Sequence, residues 1–382
     1  MLARPLQQLS RFADDLRRPR QGTGRIDQLD GLRGVLSLQV AFFHLLSGLP
    51  LAAAWAATWA KPILNHWIAV DIFFTMSGFV MGYVYAKNFE ETVTGRSYRQ
   101  FIVARFARIY PVGIVTMALF LAALLPFVWG TDRFLDPDGR YSWQSAIAAL
   151  FLLQGPFIDH LTWNYPAWSV SVEWVLYFGF PFLVGLTRGR TTAWVVIVAA
   201  SVAALVLYMA VGAKSNGWPS LLRGALLFGA GFAIYRLHDL AFAGKQWFLA
   251  ATALVFALFW WVFGDDAAAV VTVPAIVMIA LANAPVAALL STLPLRFLGV
   301  ISYSLYMIHA FVQIVIANRI YDIVAARIGE STELALLVVL FGVGLSIVLA
   351  VLSVVFIEQP AREAIRRYGA RRQARLAAET EG

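Results

Sequence analysis

Two stretches of this chain, residues 193–211 and 334–357, contain no charged side chain. Each is long enough to cross the roughly 30 Å hydrocarbon layer of a bilayer as a helix, at about 1.5 Å per residue. Inside lipid the backbone finds no water, so a spanning segment has to be a helix or part of a closed β-barrel. The sequence lacks the alternating pattern that is typical of membrane barrels. It therefore predicts an all-α fold, a polytopic integral membrane helix bundle.

The composition excludes a soluble protein. Of the 382 residues, 60% are hydrophobic and 14% are charged, whereas a soluble domain has about 45–50% apolar and about 25% charged residues. Intrinsic disorder is excluded as well, because it requires low hydrophobicity. The net charge of +8 favours contact with anionic membrane lipid and does not indicate nucleic acid as a partner.

Eleven apolar stretches follow the N-terminal segment, and we expect about ten of them to be transmembrane helices. The stretch 144–156 is too short to cross about 30 Å, so we expect it to be re-entrant or to lie on the membrane surface. The predicted spans are centred on 34–53, 67–86, 109–129, 168–187, 193–211, 220–237, 247–263, 268–290, 297–317 and 334–357.

The distribution of basic residues predicts that both termini are cytoplasmic. With ten spans and a cytoplasmic N-terminus, 23 of the 30 Lys and Arg residues fall on the cytoplasmic side, as the positive-inside rule expects. The N-terminal region has no long apolar core, so we expect no cleavable signal peptide. The expected organisation is a basic amphipathic segment at 1–24, a single membrane domain at 25–360 and a basic cytoplasmic tail at 361–382.

The chain contains no cysteine, which excludes a disulfide framework, a thiolate metal site and a cysteine nucleophile. It also has no HExxH motif, Walker loop or GxGxxG motif. We therefore expect no bound metal and no bound cofactor. Any chemistry has to come from imidazole, carboxylate or hydroxyl groups.

Four ionisable side chains fall well inside the predicted spans: His44, Asp71, Glu173 and His309. Such groups are costly in a membrane and are functional candidates by default. Arg33 precedes His44 by 11 residues, a rotation of three turns plus about 20°, so both lie on one helix face about 16 Å apart along the axis. That face suits a ligand with an anionic head and a long thin arm. A topological anchor and a hydrogen-bonded interior histidine would give the same spacing.

Arg105 and Arg108 form an RxxR pair at the predicted cytoplasmic start of the third span. Residues three apart share a helix face, and two guanidinium groups at a membrane surface can clamp a phosphate group. Topological anchoring and contact with lipid headgroups are the simpler alternatives for this pair.

Glu173 is the carboxylate most difficult to explain by packing alone. In its span it has to pair or be protonated, and a nearby histidine is the expected partner.

Five residues, two of them named above, are candidates for supporting roles, each with a structural alternative. Small residues in the second span favour close helix packing as readily as substrate contact, Trp168 fits an interfacial aromatic belt, and a mid-span histidine can be structural. The candidates are Asp71, Ser77, Trp168, Tyr303 and His309.

Six motifs, taken in their order along the chain, resemble those of the acyltransferase-3 family. Members of this family are bacterial integral-membrane proteins that O-acylate extracytoplasmic carbohydrates and some other acceptors. The likeness runs from about residue 25 to residue 362, and the ordered set is more specific than any single motif. The motifs are LDGLRGVLSLQVAFFH (29–44), VDIFFTMSGFVMGY (70–83), RFARIYP (105–111), WSVSVEWVLYFGFP (168–181), ISYSLYMIH (301–309) and FIEQPAR (356–362).

The resemblance implies roles by position. The family's R-x10-H motif is met by Arg33 and His44, with His44 at the active site and Arg33 supporting the acyl donor. Its RxxR motif is met by Arg105 and Arg108, also on the donor side, and its membrane-embedded carboxylate by Glu173. The implied co-substrate is a cytoplasmic acyl-CoA, often acetyl-CoA.

Some members of the family carry a fused extracytoplasmic hydrolase-like domain. This chain ends shortly after its last motif, so it is expected to be the membrane domain alone. The need for a soluble partner enzyme, and the formation of a homo-oligomer, stay open.

We therefore expect an enzyme of the bacterial inner membrane that moves an acyl group, most commonly acetyl, from acyl-CoA to a hydroxyl of a polysaccharide, lipopolysaccharide or glycolipid. His44 would act as the general base and Glu173 would orient its imidazole, with an acyl-histidine intermediate as an alternative route. The rival classes are a multi-span transporter of an acylated or anionic small molecule and a non-catalytic scaffold. The lack of evident internal repeats weakens the transporter hypothesis.

Overall fold

The computed structural model describes residues 26–59, 67–128, 140–186, 190–212, 215–237 and 284–369, together with separate helical positions within 8–16 and 273–281. Over these residues the regular structure is helical, without strands, which confirms the all-α prediction. The α-helices are α1 (Asp27–Ser47), α2 (Pro50–Trp59), α3 (Trp67–Tyr85), α4 (Gly95–Val128), α5 (Trp143–Leu150), α6 (Gln154–Phe157), α7 (Ala167–Leu186), α8 (Arg190–Val211), α9 (Gly217–Leu237), α10 (Ala284–Leu290), α11 (Leu293–Phe311), α12 (Asn318–Ile328) and α13 (Thr332–Ser353).

Seven helices within the described ranges are long and apolar enough to cross a membrane, so the chain is a multi-pass membrane protein. They coincide with seven of the ten predicted spans. The predicted span 193–211 lies in α8, a helix of 22 residues. All of 247–263 and ten of the 23 residues of 268–290 lie outside the described residues. The seven helices are Asp27–Ser47, Trp67–Asn88, Gly95–Leu124, Ala167–Val184, Gly217–Leu237, Leu293–Ile328 and Thr332–Gly369.

Two of these helices contain a π-helical segment. α11 continues through Val312–Ala317 into α12, and α13 continues through Val354–Glu358 into a helical stretch that ends at Gly369. In a π-helix the backbone bonds to the fifth residue, and such segments often occur at functional sites. Each of the two segments here supplies a polar side chain to the interior, Gln313 and Glu358.

The stretch 144–156 forms the short helices α5 and α6, of eight and four residues. Eight residues rise only about 12 Å, so α5 does not cross the bilayer. The segment is held in the bundle by the Gly155 amide, which donates to Ser171 Oγ at 2.8 Å. After α6, Asn164 Nδ2 donates to the Met307 carbonyl oxygen at 2.9 Å. The residues that follow α6 therefore reach the interior of the bundle.

α1 and α11 form the most extensive helix pair in the described bundle. A Cβ atom on Gly299 would lie 2.2 Å from the Asp30 carbonyl oxygen, and a Cβ atom on Gly34 would lie 2.5 Å from the Gly299 nitrogen. Only glycine permits this approach of the two backbones. The contact fixes the positions of Arg33 and His44 on α1 relative to His309 on α11.

α3 and α9 cross in the same manner. A Cβ atom on Gly78 would lie 1.9 Å from the Phe228 carbonyl oxygen, and one on Gly231 would lie 1.8 Å from the Thr75 carbonyl oxygen. Gly78 thus serves helix packing, the structural alternative given above for small residues of the second span. The neighbouring Ser77 lines an internal cavity instead.

Aromatic packing fixes α7, the helix that carries Glu173. The Phe180 ring lies 5.3 Å from that of Phe101 on α4, and 6.1 Å and 5.6 Å from those of Phe228 and Phe232 on α9. The pairs with Phe228 and Phe232 are edge to face and the pair with Phe101 is tilted, and such contacts add to the burial of apolar surface. Three helices are therefore joined around the cavity wall that α7 provides.

Candidate active site

A cavity of about 270 Å³ opens at one end of the bundle. Its outer part is lined by five arginines, and we call it the arginine cavity. Its inner part is lined by hydroxyl groups and one carboxylate. The arginines are Arg33, Arg105, Arg108, Arg362 and Arg366, and the inner residues include Ser77, Ser169, Glu173, Tyr177, Tyr303 and Tyr306.

Arg33 projects from the first turns of α1 into the arginine cavity. Its guanidinium group lies 3.4 Å from the carboxylate of Asp30, one turn earlier on the same helix, and its side chain is 25% exposed. A partly exposed ion pair of this kind contributes little stability. Arg33 is therefore restrained on one side while its charge stays accessible from the cavity.

Arg105 and Arg108 project from α4 into the same cavity. The Arg105 guanidinium donates to the Tyr85 hydroxyl and lies 4.7 Å from the centre of that ring. The Arg108 guanidinium forms an ion pair with Glu358 and lies 5.4 Å from the centre of the Tyr303 ring. Aromatic faces and a carboxylate hold the two flat guanidinium groups in fixed orientations. The structure thus places Arg105 and Arg108 in the same cavity as Arg33.

Glu358 is a site residue to which the sequence analysis gave no function. Its side chain is 3% exposed, and its second oxygen accepts a hydrogen bond of 3.0 Å from Ser304. Both oxygens of this buried carboxylate are therefore satisfied, one by Arg108 and one by a hydroxyl group. The motif 356–362 marks the position, but the sequence gives no sign of a partner 250 residues away.

Glu173 accepts hydrogen bonds from the hydroxyl groups of Ser77 and Tyr177, both on the same carboxylate oxygen. Tyr177 lies one turn after Glu173 on α7, and Ser77 lies on α3. These partners correct the expectation that Glu173 pairs with a histidine and orients it. The carboxylate lines the arginine cavity, so a ligand in the cavity can reach it.

The imidazole rings of His44 and His309 are joined by a hydrogen bond of 2.8 Å between His44 Nδ1 and His309 Nε2. The ring planes differ by 4°, and the ring centres lie 5.0 Å apart. A centre-to-centre distance this much longer than the nitrogen-to-nitrogen distance means that the rings meet edge to edge, in one plane. His309 is fully buried. The structure therefore brings together the two histidines that the sequence placed in separate spans.

The hydrogen bonds of this pair assign its tautomer in the neutral state. His309 Nδ1 lies 3.2 Å from the Leu305 carbonyl oxygen, which only accepts, so Nδ1 carries the proton. His309 Nε2 then holds the lone pair, and the proton between the rings belongs to His44 Nδ1. His44 consequently carries its own lone pair on Nε2. An imidazole in that form can act as a general base at Nε2.

Two side chains from other segments support His44. Gln313, in the first π-helical segment, donates from Nε2 to the His44 carbonyl oxygen at 2.7 Å, and its Oε1 accepts from the Tyr165 hydroxyl at 2.5 Å. The Tyr165 ring meets the His44 ring edge to face, with centres 4.9 Å apart. Burial raises the pKa of the Tyr165 hydroxyl, so the group stays protonated and donates. No sequence pattern pointed to Gln313, because a π-helical segment has no recognised sequence signature.

Tyr306 separates the arginine cavity from the histidine pair. Among the residues that the structure describes, those lining the cavity include neither His44 nor His309. The Tyr306 hydroxyl lies 2.8 Å from Ser169 Oγ, and its ring meets the His309 ring edge to face at 5.8 Å. The inner end of the cavity is therefore one aromatic ring away from the imidazoles.

Asp71 and Trp168 belong to a separate contact on the far side of α3. Asp71 and Arg223 form an ion pair of 2.7 Å, with side chains 0% and 8% exposed. The Arg223 guanidinium also lies 5.9 Å from the centre of the Trp168 ring. The described lining of the arginine cavity includes none of these three residues. Of the predicted supporting residues, Ser77 and Tyr303 line the cavity, and Asp71 and Trp168 do not.

Comparison with known proteins agrees with the family resemblance of the six sequence motifs. The family described as "Acyltransferase domain" matches residues 26–355. Protein 2 in picA locus of Rhizobium radiobacter is 32% identical over 158 residues, 39% of this chain and 74% of that protein. The acyltransferase MdmB of Streptomyces mycarofaciens is 29% identical over 187 residues, 48% of this chain and 45% of that protein.

A third relative, nodulation protein 10 of Rhizobium leguminosarum bv. viciae, is 28% identical over 267 residues, 64% of this chain and 70% of that protein. No solved structure matches the chain. The family match begins at the residue before α1 and ends inside the last π-helical segment, so it includes every helix that lines the candidate site up to that point. This chain belongs to the acyltransferase-3 family and is a membrane enzyme that transfers acyl groups.

Proposed function

We propose that the enzyme moves an acyl group, with acetyl as the first donor to test, from cytoplasmic acyl-CoA to a hydroxyl of an extracytoplasmic carbohydrate. The observation that carries the proposal is the arginine cavity, which leads from charged side chains at one end of the bundle to Glu173 and Tyr306 inside it. Beyond Tyr306 lies the His309–His44 pair. A ligand with an anionic head and a thin reactive arm fits this order of groups.

We assign the acyl donor to the arginine end of the cavity because of the charges there. A CoA thioester carries phosphate groups at one end, and Arg binds phosphate in a planar, two-pronged geometry. Among the residues that the structure describes, the cavity lining holds five arginines and two carboxylates, Asp30 and Glu173. Arg33 pairs with Asp30, and Arg108 pairs with Glu358. The excess of positive charge supports the binding of an anionic donor at this end.

The chemistry we propose centres on His44. As the acceptor oxygen attacks the thioester carbonyl carbon, its proton passes to His44 Nε2. The new C–O bond forms and the C–S bond breaks. The departing CoA thiolate takes the proton from His44 Nε2, which returns His44 to its neutral state. Hydroxyl groups at the inner end of the cavity, on Ser169 and Tyr306, are suited to donate to the developing oxyanion. The Tyr306 ring has to turn aside for the thioester to reach His44.

The orientation in the membrane is proposed from the distribution of basic residues. An N-terminus in the cytoplasm puts the mouth of the arginine cavity on the cytoplasmic side, where acyl-CoA is made. The acceptor then enters from the opposite end, near the segment that carries Tyr165. The bacterial inner membrane as location, and a carbohydrate as acceptor, follow from the family resemblance. In this arrangement only the acyl group crosses, and CoA stays on one side.

The test is transfer of label from acetyl-CoA to isolated cell-surface glycan by the protein reconstituted in liposomes. We expect the wild-type protein to label the glycan and the His44→Ala variant to lose this activity without a lower protein level. His160→Ala is the matched control, because His160 lies on the connecting segment and pairs with Asp159. Near-normal transfer by His44→Ala would overturn the assignment of the base. Movement of an unmodified solute without acyl transfer would favour a transporter.

A further inference from the structure

We propose that Arg362 and Arg366 form a second phosphate site, which recognises the 3′-phosphate on the ribose of the CoA donor. This inference rests on the proposed function, since it concerns the same cavity. Both residues lie on the helical stretch that follows the second π-helical segment, beyond residue 355, where the family match ends. Both line the arginine cavity.

The spacing of the two arginines gives the site its geometry. Residues four apart lie on one helix face, so Arg362 and Arg366 present their guanidinium groups one above the other. Glu358, which binds Arg108, lies four residues before Arg362. Along the axis, Arg362 is then about 6 Å and Arg366 about 12 Å beyond the level of Glu358. The pair is therefore the outermost part of the cavity, and Arg108 lies deeper.

The order of charges in CoA matches this order of arginines. Starting from the thioester, the diphosphate comes first, and the 3′-phosphate lies beyond it on the ribose. With the thioester at the inner end of the cavity, the diphosphate falls at the level of Arg33, Arg105 and Arg108. The 3′-phosphate then falls at the level of the outer pair.

Charge favours the same assignment. A phosphomonoester carries about −1.5 to −2 at neutral pH and accepts several charge-assisted hydrogen bonds, which two guanidinium groups can satisfy. Arg33 and Arg108 are each offset by a carboxylate. Arg366 has no ion pair with any residue in the described ranges. Arg366 thus brings to the outer end of the cavity a positive charge that no ion pair within the described ranges offsets, next to the guanidinium group of Arg362.

The same helix offers a matched control. Arg367, the next residue, is 73% exposed and pairs with Glu363 at 2.9 Å. It is not among the described residues that line the arginine cavity. Loss of Arg367 removes one positive charge from the same helix but none from the cavity.

The experiment compares acetyl-CoA with acetyl-dephospho-CoA, which lacks only the 3′-phosphate. We expect the wild-type KM to be about ten- to a hundredfold lower for acetyl-CoA, the range expected for hydrogen bonds to a charged group. The double variant Arg362→Gln/Arg366→Gln should lose this preference by raising the KM for acetyl-CoA alone. Arg367→Gln should keep it. An equal rise for both donors, or an unchanged preference, would overturn the site.

A binding measurement separates this inference from the proposed function. Adenosine 3′,5′-bisphosphate should bind the purified wild-type protein more tightly than adenosine 5′-monophosphate, and the double variant should bind both equally. If this difference appears but neither donor supports acyl transfer, the phosphate site stands and the proposed CoA-dependent reaction fails. If both donors are used equally well, the reaction stands and the 3′-phosphate site fails. Thermal unfolding of each variant in detergent shows that the protein is folded.

Discussion

His44 Nδ1 and His309 Nε2 lie 2.8 Å apart, in imidazole rings that share one plane. The His309 contact to the Leu305 carbonyl oxygen sets the direction of the proton in this pair. His309 thus positions His44 and fixes its tautomer without lining the cavity itself. A histidine is well suited to such a task inside a membrane, since a neutral imidazole accepts a hydrogen bond on one nitrogen and donates one from the other.

The first prediction concerns His309. In His309→Ala, His44 loses the acceptor that keeps its proton on Nδ1, so the tautomer with the lone pair on Nε2 is no longer selected. Loss of an orienting group in a comparable catalytic pair lowers kcat by about 10²–10⁴-fold. The donor KM should change little, because His309 does not touch the cavity. Steady-state kinetics with acetyl-CoA measure both constants.

His309→Gln is the companion variant, since its side-chain oxygen can accept from His44 Nδ1. It should recover a large part of the kcat that His309→Ala loses. A merely structural histidine would give the opposite pattern: both variants would show less folded protein, with an unchanged kcat for the folded fraction.

The second prediction concerns Glu358. Because its carboxylate fixes the Arg108 guanidinium, Glu358→Gln should raise the donor KM about tenfold, by loosening one charge-assisted contact to phosphate. Glu363→Gln is the control, as Glu363 is 65% exposed on the same helix and pairs with Arg367. A lower KM in Glu358→Gln would mean that Glu358 competes with the donor for Arg108.

The third prediction concerns the buried ion pair of Asp71 and Arg223. Arg223→Met leaves a buried carboxylate without its counter-charge, which costs about 3–5 kcal/mol of stability. The double variant Asp71→Leu/Arg223→Met removes both charges and should unfold close to the wild-type temperature in detergent. Any acyl transfer that Arg223→Met loses through instability should return in the double variant, because the ion pair lies outside the cavity. Transfer that stays absent in a stable double variant would give Asp71 a part in the reaction.

The fourth prediction concerns the contact of α1 with α11. In Gly299→Ala the new methyl group would lie 2.2 Å from the Asp30 carbonyl oxygen, so the two helices have to separate, at a cost of about 1–3 kcal/mol. The donor KM should rise too, because Arg33 moves with α1. Gly344→Ala is the control: nothing lies within 4 Å of a Cβ atom there, and it should leave unfolding and KM unchanged.

The sequence predicts the spans well because crossing a membrane depends on local properties, length and apolar character. The 11-residue spacing of Arg33 and His44 is also local, since both residues lie on one helix. In the structure Arg33 lines the arginine cavity, whereas His44 is partly buried in the last turn of α1 and is not among the described lining residues. Burial in lipid likewise predicted that Glu173 needs partners.

The identity of partners on other helices could not be predicted in this way. Glu173 bonds to Ser77 and Tyr177 rather than to a histidine, and Arg108 pairs with a residue 250 positions away. These choices depend on how helices pack, which is set by backbone contacts such as that of Gly34 with Gly299. A pattern within one helix carries no information on its rotation relative to the next.

Each π-helical segment, Val312–Ala317 and Val354–Glu358, divides its helix into two parts that are rotated relative to each other about the helix axis. A π turn holds one residue more than an α turn, so the helix beyond it is turned by about 100° relative to an uninterrupted one. The residues that face inward on the two sides of Gln313 therefore follow no common 3.6-residue period. Deleting one residue from such a segment would leave the apolar length of the span unchanged. It would, however, rotate one end of the bundle out of step with the other, and so uncouple the end that holds the arginine cavity from the proposed entry of the acceptor.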